Sequence, residues 1–253
     1  MTTLLITNIT LADLLITFIE FIPTLMTLLS GEWVLGGAIC TLVAYTRYFP
    51  FVVECLLTAT MACHRLYVLL RPAPLRKSWF VGWVVGVWIL PLANISYLLA
   101  HHQPAHFNPG ELSCTSYNYT DPGLIRAYSI NAGVIYSISL LPTILSNLAI
   151  LTIVARYSWL YRRRLPDLPI ILATVGVSAG LLVAYMPTLY SWFTMHTCTP
   201  RPNRVLVDTF ALSINVVTNP IIFMLTNRRL RQFIGYFTEA CSSCEDIDYE
   251  QIQ

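Results

Sequence analysis

Apolar positions along the chain fall into long unbroken blocks separated by short polar connections. Six blocks stand out, Leu4 to Leu29, Gly36 to Leu70, Trp79 to Leu99, Leu124 to Ala155, Leu168 to Phe193 and Val205 to Leu225. Each reaches or exceeds the roughly 20 residues a helix needs to cross hydrocarbon. The pattern predicts an all-α membrane protein with six spans. The 15 prolines and 11 glycines scatter through the apolar blocks instead of gathering in linkers, which membrane helices tolerate and soluble helices mostly do not. With 56% apolar and 11% charged residues, soluble, collagenous and disordered classes are excluded.

Charge placement adds a topology. Arg71, Arg76 and Lys77 fill one connection, Arg156 and Arg162 to Arg164 the next but one, and Arg228, Arg229 and Arg231 follow the last span. These connections are expected in the cytoplasm by the positive-inside rule. The opposite connections hold Arg126, Arg201 and Arg204 and the sequence Asn118-Tyr119-Thr120, a glycosylation acceptor pattern that works only outside the cell. Both chain ends are then cytoplasmic. The N-terminus lacks the basic segment and cleavage site of a secretory signal, so the first span is expected to stay as an anchor. One bundle over 1–240 and a cytoplasmic tail over 241–253 are expected, with no soluble domain.

Ionisable side chains inside spans are costly and point to function. Here they are Asp13 and Glu20 on the first span and Arg47 and Glu54 on the second, each pair seven positions apart and so along one helix face. Counted from the connection between the spans, Glu20 and Arg47 lie at a depth of ~15 Å and Asp13 and Glu54 at ~26 Å. Two polar layers follow if the helices are neighbours. In the first, Glu20 and Arg47 neutralise each other or Arg47 meets an anionic group of a ligand. In the second, two carboxylates side by side call for a cation, a shared proton or interior water.

Leu11-Ala12-Asp13-Leu14, Trp33-Val34-Leu35-Gly36 with Cys40, Arg65, Pro72, Trp88, Pro142, Tyr185-Met186-Pro187, Asn215, and Asn219-Pro220-Ile221-Ile222-Phe223 occur in order, span by span. This series resembles the landmarks of rhodopsin-like (class A) G-protein-coupled receptors from their second helix to their seventh, and covers nearly the whole chain. The basic amphipathic segment from Asn227 to Ile234 is similar to the family's short eighth helix, lying on the inner membrane surface. Cys241 and Cys244 just beyond it are placed for palmitoylation, with free cytosolic thiols as the plainer reading. Cys40 and Cys114 both lie on the oxidising side, and the family's bridge implies a disulfide between them. Cys198 is left without a partner in this chain.

The resemblance implies a seven-helix receptor bundle of which six spans and the eighth helix are present, a ligand pocket opening outward, and an inner face that admits a heterotrimeric G protein. Glu20, Tyr45, Arg47, Tyr128, Tyr185, Tyr190 and Asp208 are the expected pocket residues. A peptide or an anionic ligand suits them, and an amine does not, because Arg47 stands where an amine's carboxylate partner would be. His64, Arg65 and Asp167 are expected at the G-protein face, Asp167 pairing with Arg65 or capping the helix that follows. Asp13, Asn215 and Asn219 match positions that in the family hold an allosteric sodium ion; no other cofactor is expected. Glu54 stands where the family commonly has serine, so an added carboxylate tightens cation binding or replaces it with a proton. His64 replaces the acidic neighbour of the arginine, Leu66 and Phe223 stand where tyrosines are usual, Ile150 is near a third, and Tyr185 replaces a tryptophan. An altered activation relay follows.

Nothing precedes the span bearing Asp13, so the first family helix is expected to be missing. That raises a non-signalling partner or decoy receptor as the alternative. A cation-coupled transporter using Asp13 and Glu54 lacks internal repeats and paired broken helices, and an intramembrane enzyme lacks a nucleophile with a base. Nucleic acid is not an expected partner. His101, His102 and His106 read as solvated loop residues, and Asn8 and Asn94 sit in spans where no glycan can be added. A multi-pass plasma-membrane receptor is the resulting expectation.

Overall fold

Proline positions explain how the first two spans are divided. Helix α1 (Thr2–Ile16) runs through a π-helical turn, Thr17–Phe21, into α2 (Ile22–Ser30). Pro23 has no N–H for the carbonyl four residues back. The wider turn accommodates this, and the Ile22 N–H reaches the Thr17 carbonyl. Gly31, at φ 75°, ends α2 with a hydrogen bond from its N–H to the Thr27 carbonyl at 2.9 Å, a left-handed cap glycine adopts without strain. Pro50 does for the second span what Pro23 does for the first. It leaves the Thr46 carbonyl unserved, and α3 (Gly36–Thr46) gives way to α4 (Tyr48–Leu70) at Arg47.

In this computed structural model the described residues are 1–71, 76–101, 105–109, 113–115, 122–161, 168–194 and 204–226. The remaining helices are α5 (Lys77–His101), α6 (Pro122–Tyr161), α7 (Leu168–Thr194) and α8 (Arg204–Thr226), with Pro91, Pro142, Pro187 and Pro220 inside them in turn. Every apolar block of the sequence is therefore a helix. Between α5 and α6 the chain adds an antiparallel hairpin, β1 (His106–Asn108) and β2 (Ser113–Thr115), with Phe107 opposite Cys114. The hairpin is an addition to the all-helical expectation.

Helix α4 is the axis of the bundle, packed by α1, α5, α6 and α7. One apolar cluster joins Leu5, Ile9 and Ala12 of α1 to Leu57 and Met61 of α4. A second joins Phe51 and Cys55 of α4 to Tyr136, Leu181 and Tyr185. The outside is as apolar as the inside: Phe18, Trp83, Leu90, Ile138 and Val183 are each more than half exposed. An apolar exterior around a core that holds the buried acids is the reverse of a water-soluble protein and suits hydrocarbon. The helices Thr2–Ser30, Gly36–Leu70 and Gly133–Tyr157 are long and apolar enough to cross a membrane, and shorter apolar stretches run over Lys77–Ala93, Ile171–Pro187 and Ser213–Leu225.

Candidate functional site

Seven helical positions make about two turns, so Asp13 and Glu20, with the π turn between them, and Arg47 and Glu54 return to roughly the same face of their spans. The structure brings the two faces together. An Arg47 guanidinium nitrogen lies 2.5 Å from a Glu20 carboxylate oxygen, and both side chains are buried. Arg47 also donates to the Ser113 hydroxyl at 3.2 Å and lies over the Tyr48 ring, 5.2 Å from its centroid. Ser113 belongs to β2, next to Cys114, which is disulfide-bonded to Cys40 at the start of α3. The hairpin is thus tied to the bundle by a covalent bond and by a polar contact to the buried cation. Trp33 reinforces it, with its ring 6.3 Å from Phe107 and its indole N–H donating to the Gly36 carbonyl.

Below this layer Tyr185 is buried among aromatic rings. It meets Phe51 and Tyr136 edge-on at 6.2 and 5.9 Å, and its hydroxyl donates to the Phe51 carbonyl at 3.2 Å. That carbonyl lies one residue past Pro50, so Tyr185 secures α7 to the irregular part of the second span. Tyr45 is buried near the α3–α4 junction.

Asp13 and Glu54 form the next layer with Asn215 and Asn219, all four nearly inaccessible. One amide nitrogen bridges the two acids. Asn219 donates to both Asp13 oxygens at 3.3 Å and to Glu54 Oε1 at 3.0 Å, while Asn215 donates to the same Glu54 oxygen. Thr58, one turn along α4 from Glu54, is fully buried, and its hydroxyl has no hydrogen-bond partner, nor have Glu54 Oε2 and the Asn215 and Asn219 amide oxygens. Buried oxygens without donors are rare and mark a place where water, a shared proton or a cation completes the bonding.

At the end of the bundle away from the hairpin, Arg65 donates to the Thr2 hydroxyl at 2.5 Å. His64 packs its ring 5.2 Å from Phe80 on α5. Nearby, Trp88 donates to the Asn8 side chain at 2.8 Å, which ties α5 to α1.

Of the expected site residues, Glu20, Tyr45, Arg47 and Tyr185 share the buried interior, and Asp13, Glu54, Asn215 and Asn219 meet as one cluster. Tyr190 does not join them. It lies 58% exposed on α7, as Val183 and Met186 do, five helical steps and so 140° away from Tyr185. Asp167, Asn118, Cys241, Cys244 and the amphipathic segment after Thr226 lie outside the described residues, as do the side chains of Tyr128 and Asp208. Ser113, Thr2 and Asn8 are hydrogen-bonding partners, and Thr58 is a buried neighbour of Glu54, that sequence reading missed. Asn8 carried a signal, as an amide side chain in a span.

The profile of the 7 transmembrane receptor (rhodopsin family) matches residues 1–223. No curated protein matches the sequence. Among solved structures, squid rhodopsin is similar in fold, with a TM-score of 0.76 at 11% sequence identity, over 92% of this chain and 70% of that one. The apolar exterior, the buried acid pair bridged by the asparagine of the Asn-Pro motif, and the clamped hairpin agree with that match: the chain belongs to the rhodopsin family of seven-transmembrane receptors, a family of multi-pass membrane proteins.

Proposed function

We propose that this receptor sits in the plasma membrane and passes an extracellular ligand signal to a heterotrimeric G protein. The observation that carries the reading is Arg65, at the bundle end opposite the hairpin and held on the Thr2 hydroxyl. A long cation at that end of the bundle is a group that can swing to a partner's carbonyls when the helices part. The basic connections support a cytoplasmic position for this end and for both chain termini. Asp167 adds to that face in the same reading, as do palmitates on Cys241 and Cys244, and a glycan on Asn118 belongs to the opposite side.

The ligand enters at the hairpin end and engages the Glu20–Arg47 layer, with Tyr45, Tyr185, Tyr128 and Asp208 around it. Arg47 favours an acidic group, in a peptide or in a small anion, and that group competes with Glu20. The Asp13–Glu54 layer, where the family's sodium ion would bind, is the switch between ligand and G protein: its orphaned buried oxygens suit a cation or a proton.

The test compares surface delivery and basal G-protein activation of the wild type with Arg65→Ala. Activation that disappears in the variant at equal surface level supports the reading. If wild type at the surface activates no G protein in any ligand or ligand-free condition, the non-signalling receptor takes its place. Thr2→Val gives a second expectation. A hydrogen bond to a charged group is worth about 1.5–3 kcal/mol, so losing this contact of Arg65 should raise basal activation by up to roughly tenfold. Unchanged basal signalling in Thr2→Val means that Thr2 does not restrain Arg65.

A further inference from the structure

Where α4 ends and α5 begins, the outside of the bundle changes from apolar to basic. We propose that Arg71, Arg76 and Lys77, with the trough over Gly82 and Gly86, form a site for one anionic phospholipid of the inner leaflet. The proposal rests on the reading of this end as cytoplasmic and goes beyond it by assigning a lipid ligand.

The packing of α4 on α5 brings the three cations to one edge. Trp83 donates its indole N–H to the Thr60 hydroxyl at 2.9 Å, and Phe80, about one turn nearer the end, meets the His64 ring at 5.2 Å. The two helices are therefore antiparallel here. Continued at 1.5 Å per residue, Lys77 and Arg76 lie about 4.5–6 Å beyond Phe80, and Arg71 about 10 Å beyond His64. All three are exposed. Among the described residues none of them is paired with a carboxylate, the ion pair there being Arg47 with Glu20. The described acids are elsewhere: Asp13, Glu20 and Glu54 are buried in the core, and Glu32 lies beside Trp33 at the hairpin end. Uncompensated basic side chains at a membrane surface attract anionic lipid, and arginine grips phosphate through two N–H groups at once.

The face of α5 that leads inward from these cations has a shape to match. Trp79 is 75% and Trp83 62% exposed, and indole rings favour the boundary between headgroups and chains. Gly82 and Gly86 follow about one turn apart on the same outward side, and a Cβ at either would meet nothing within 4 Å. Helical phase sets them between the two tryptophans and the exposed Val85 and Ile89. Two glycines between larger side chains leave a trough. From Trp79 to Leu90 it is about 16 Å long, roughly half of the ~30 Å hydrocarbon thickness, which is the depth of one leaflet. The bond to Thr60 fixes Trp83 as one wall. A phosphate among the three cations then places an acyl chain in the trough, so charge selects the headgroup and shape seats the chain.

The test titrates the full chain in mild micelles with long-chain phosphatidylserine, phosphatidylcholine or glycerophosphoserine, and counts retained molecules by native mass spectrometry. One phosphatidylserine per chain, held in preference to phosphatidylcholine, is the expected result. Arg71→Gln, Arg76→Gln and Lys77→Gln should each weaken it roughly fivefold. Gly82→Leu with Gly86→Leu fills open space, keeps every charge and should abolish retention. Equal retention of phosphatidylcholine overturns the proposal, as does phosphatidylserine binding that is unchanged in the charge variants or in the glycine variant. Glycerophosphoserine that binds as tightly as the lipid would leave a phosphate site with no use for the chain, and overturns it too. If the acids of the tail, Glu245, Asp246, Asp248 and Glu250, hold these cations instead, lipid is retained only after residues 239–253 are removed, which refutes the site in the intact chain. Micelles offer lipid to both ends of the bundle, so failure here counts against the site and not against the cytoplasmic reading, which the Arg65→Ala signalling assay tests.

Discussion

Arg47→Ala should destabilise the bundle by about 3–5 kcal/mol, the usual cost of stranding one member of a buried ion pair. Both side chains are under 10% exposed, so solvent relieves little of the penalty. The variant leaves the Glu20 carboxylate without its 2.5 Å partner and the Ser113 hydroxyl without its donor. Glu20→Ala should cost a similar amount, since it strands the guanidinium, although Ser113 and the Tyr48 face still contact it. Replacing both, as Glu20→Leu with Arg47→Met, should recover most of the loss, because attraction between buried ions is largely offset by their desolvation. Unfolding in micelles, followed for the two single variants and the double, measures the coupling. Three equal losses would mean that the pair does not act as a unit, and a neutral Arg47→Ala would mean that water reaches the layer.

That pair shows what a sequence can disclose. The heptad spacing of Asp13 with Glu20 and of Arg47 with Glu54 is a one-dimensional fact, and the short connection between the spans fixes their relative depth, so both layers could be placed before any coordinates. Asn215 and Asn219 were legible because the Asn-Pro pair is a recognisable landmark. The contacts to Ser113 and Thr2 were not, because they depend on how a hairpin and a helix end fold back across 66 and 63 positions, and a lone serine or threonine has no pattern. The π turn at Thr17–Phe21 also escaped, since Pro23 signals a break without saying whether the helix kinks, ends or widens. Tyr190 lies apart from Tyr185 for the opposite reason: it was chosen by residue type, and helical phase turns it 140° from that residue. What is readable is periodic or part of a motif; what is hidden is set by loops and by single side chains.

Breaking the Cys40–Cys114 bridge should have the second large effect, and its size depends on what the membrane already restrains. The bonded cysteines are 74 positions apart, which for a chain unfolding in water corresponds to about 4 kcal/mol of loop-closure entropy. Here the intervening segment contains most of α3, all of α4 and all of α5, and spans inserted in a bilayer remain helical when they separate. The unfolded state is therefore already narrowed, and about 2 kcal/mol, the low end of the usual range, is the expected loss for the Cys40→Ala, Cys114→Ala double variant. The local consequence is sharper. Ser113 sits beside Cys114 and accepts from Arg47, so a released hairpin loses that contact too, and Ser113→Ala should cost less in the disulfide-free background than in wild type. Thermal unfolding of the four combinations, with and without reductant, reads this directly. Additive losses would show that the hairpin holds Ser113 on Arg47 without the bridge. A non-additive result makes the disulfide the element that presses the hairpin's polar contact onto the buried pair, so that a ligand entering from that side must disturb both.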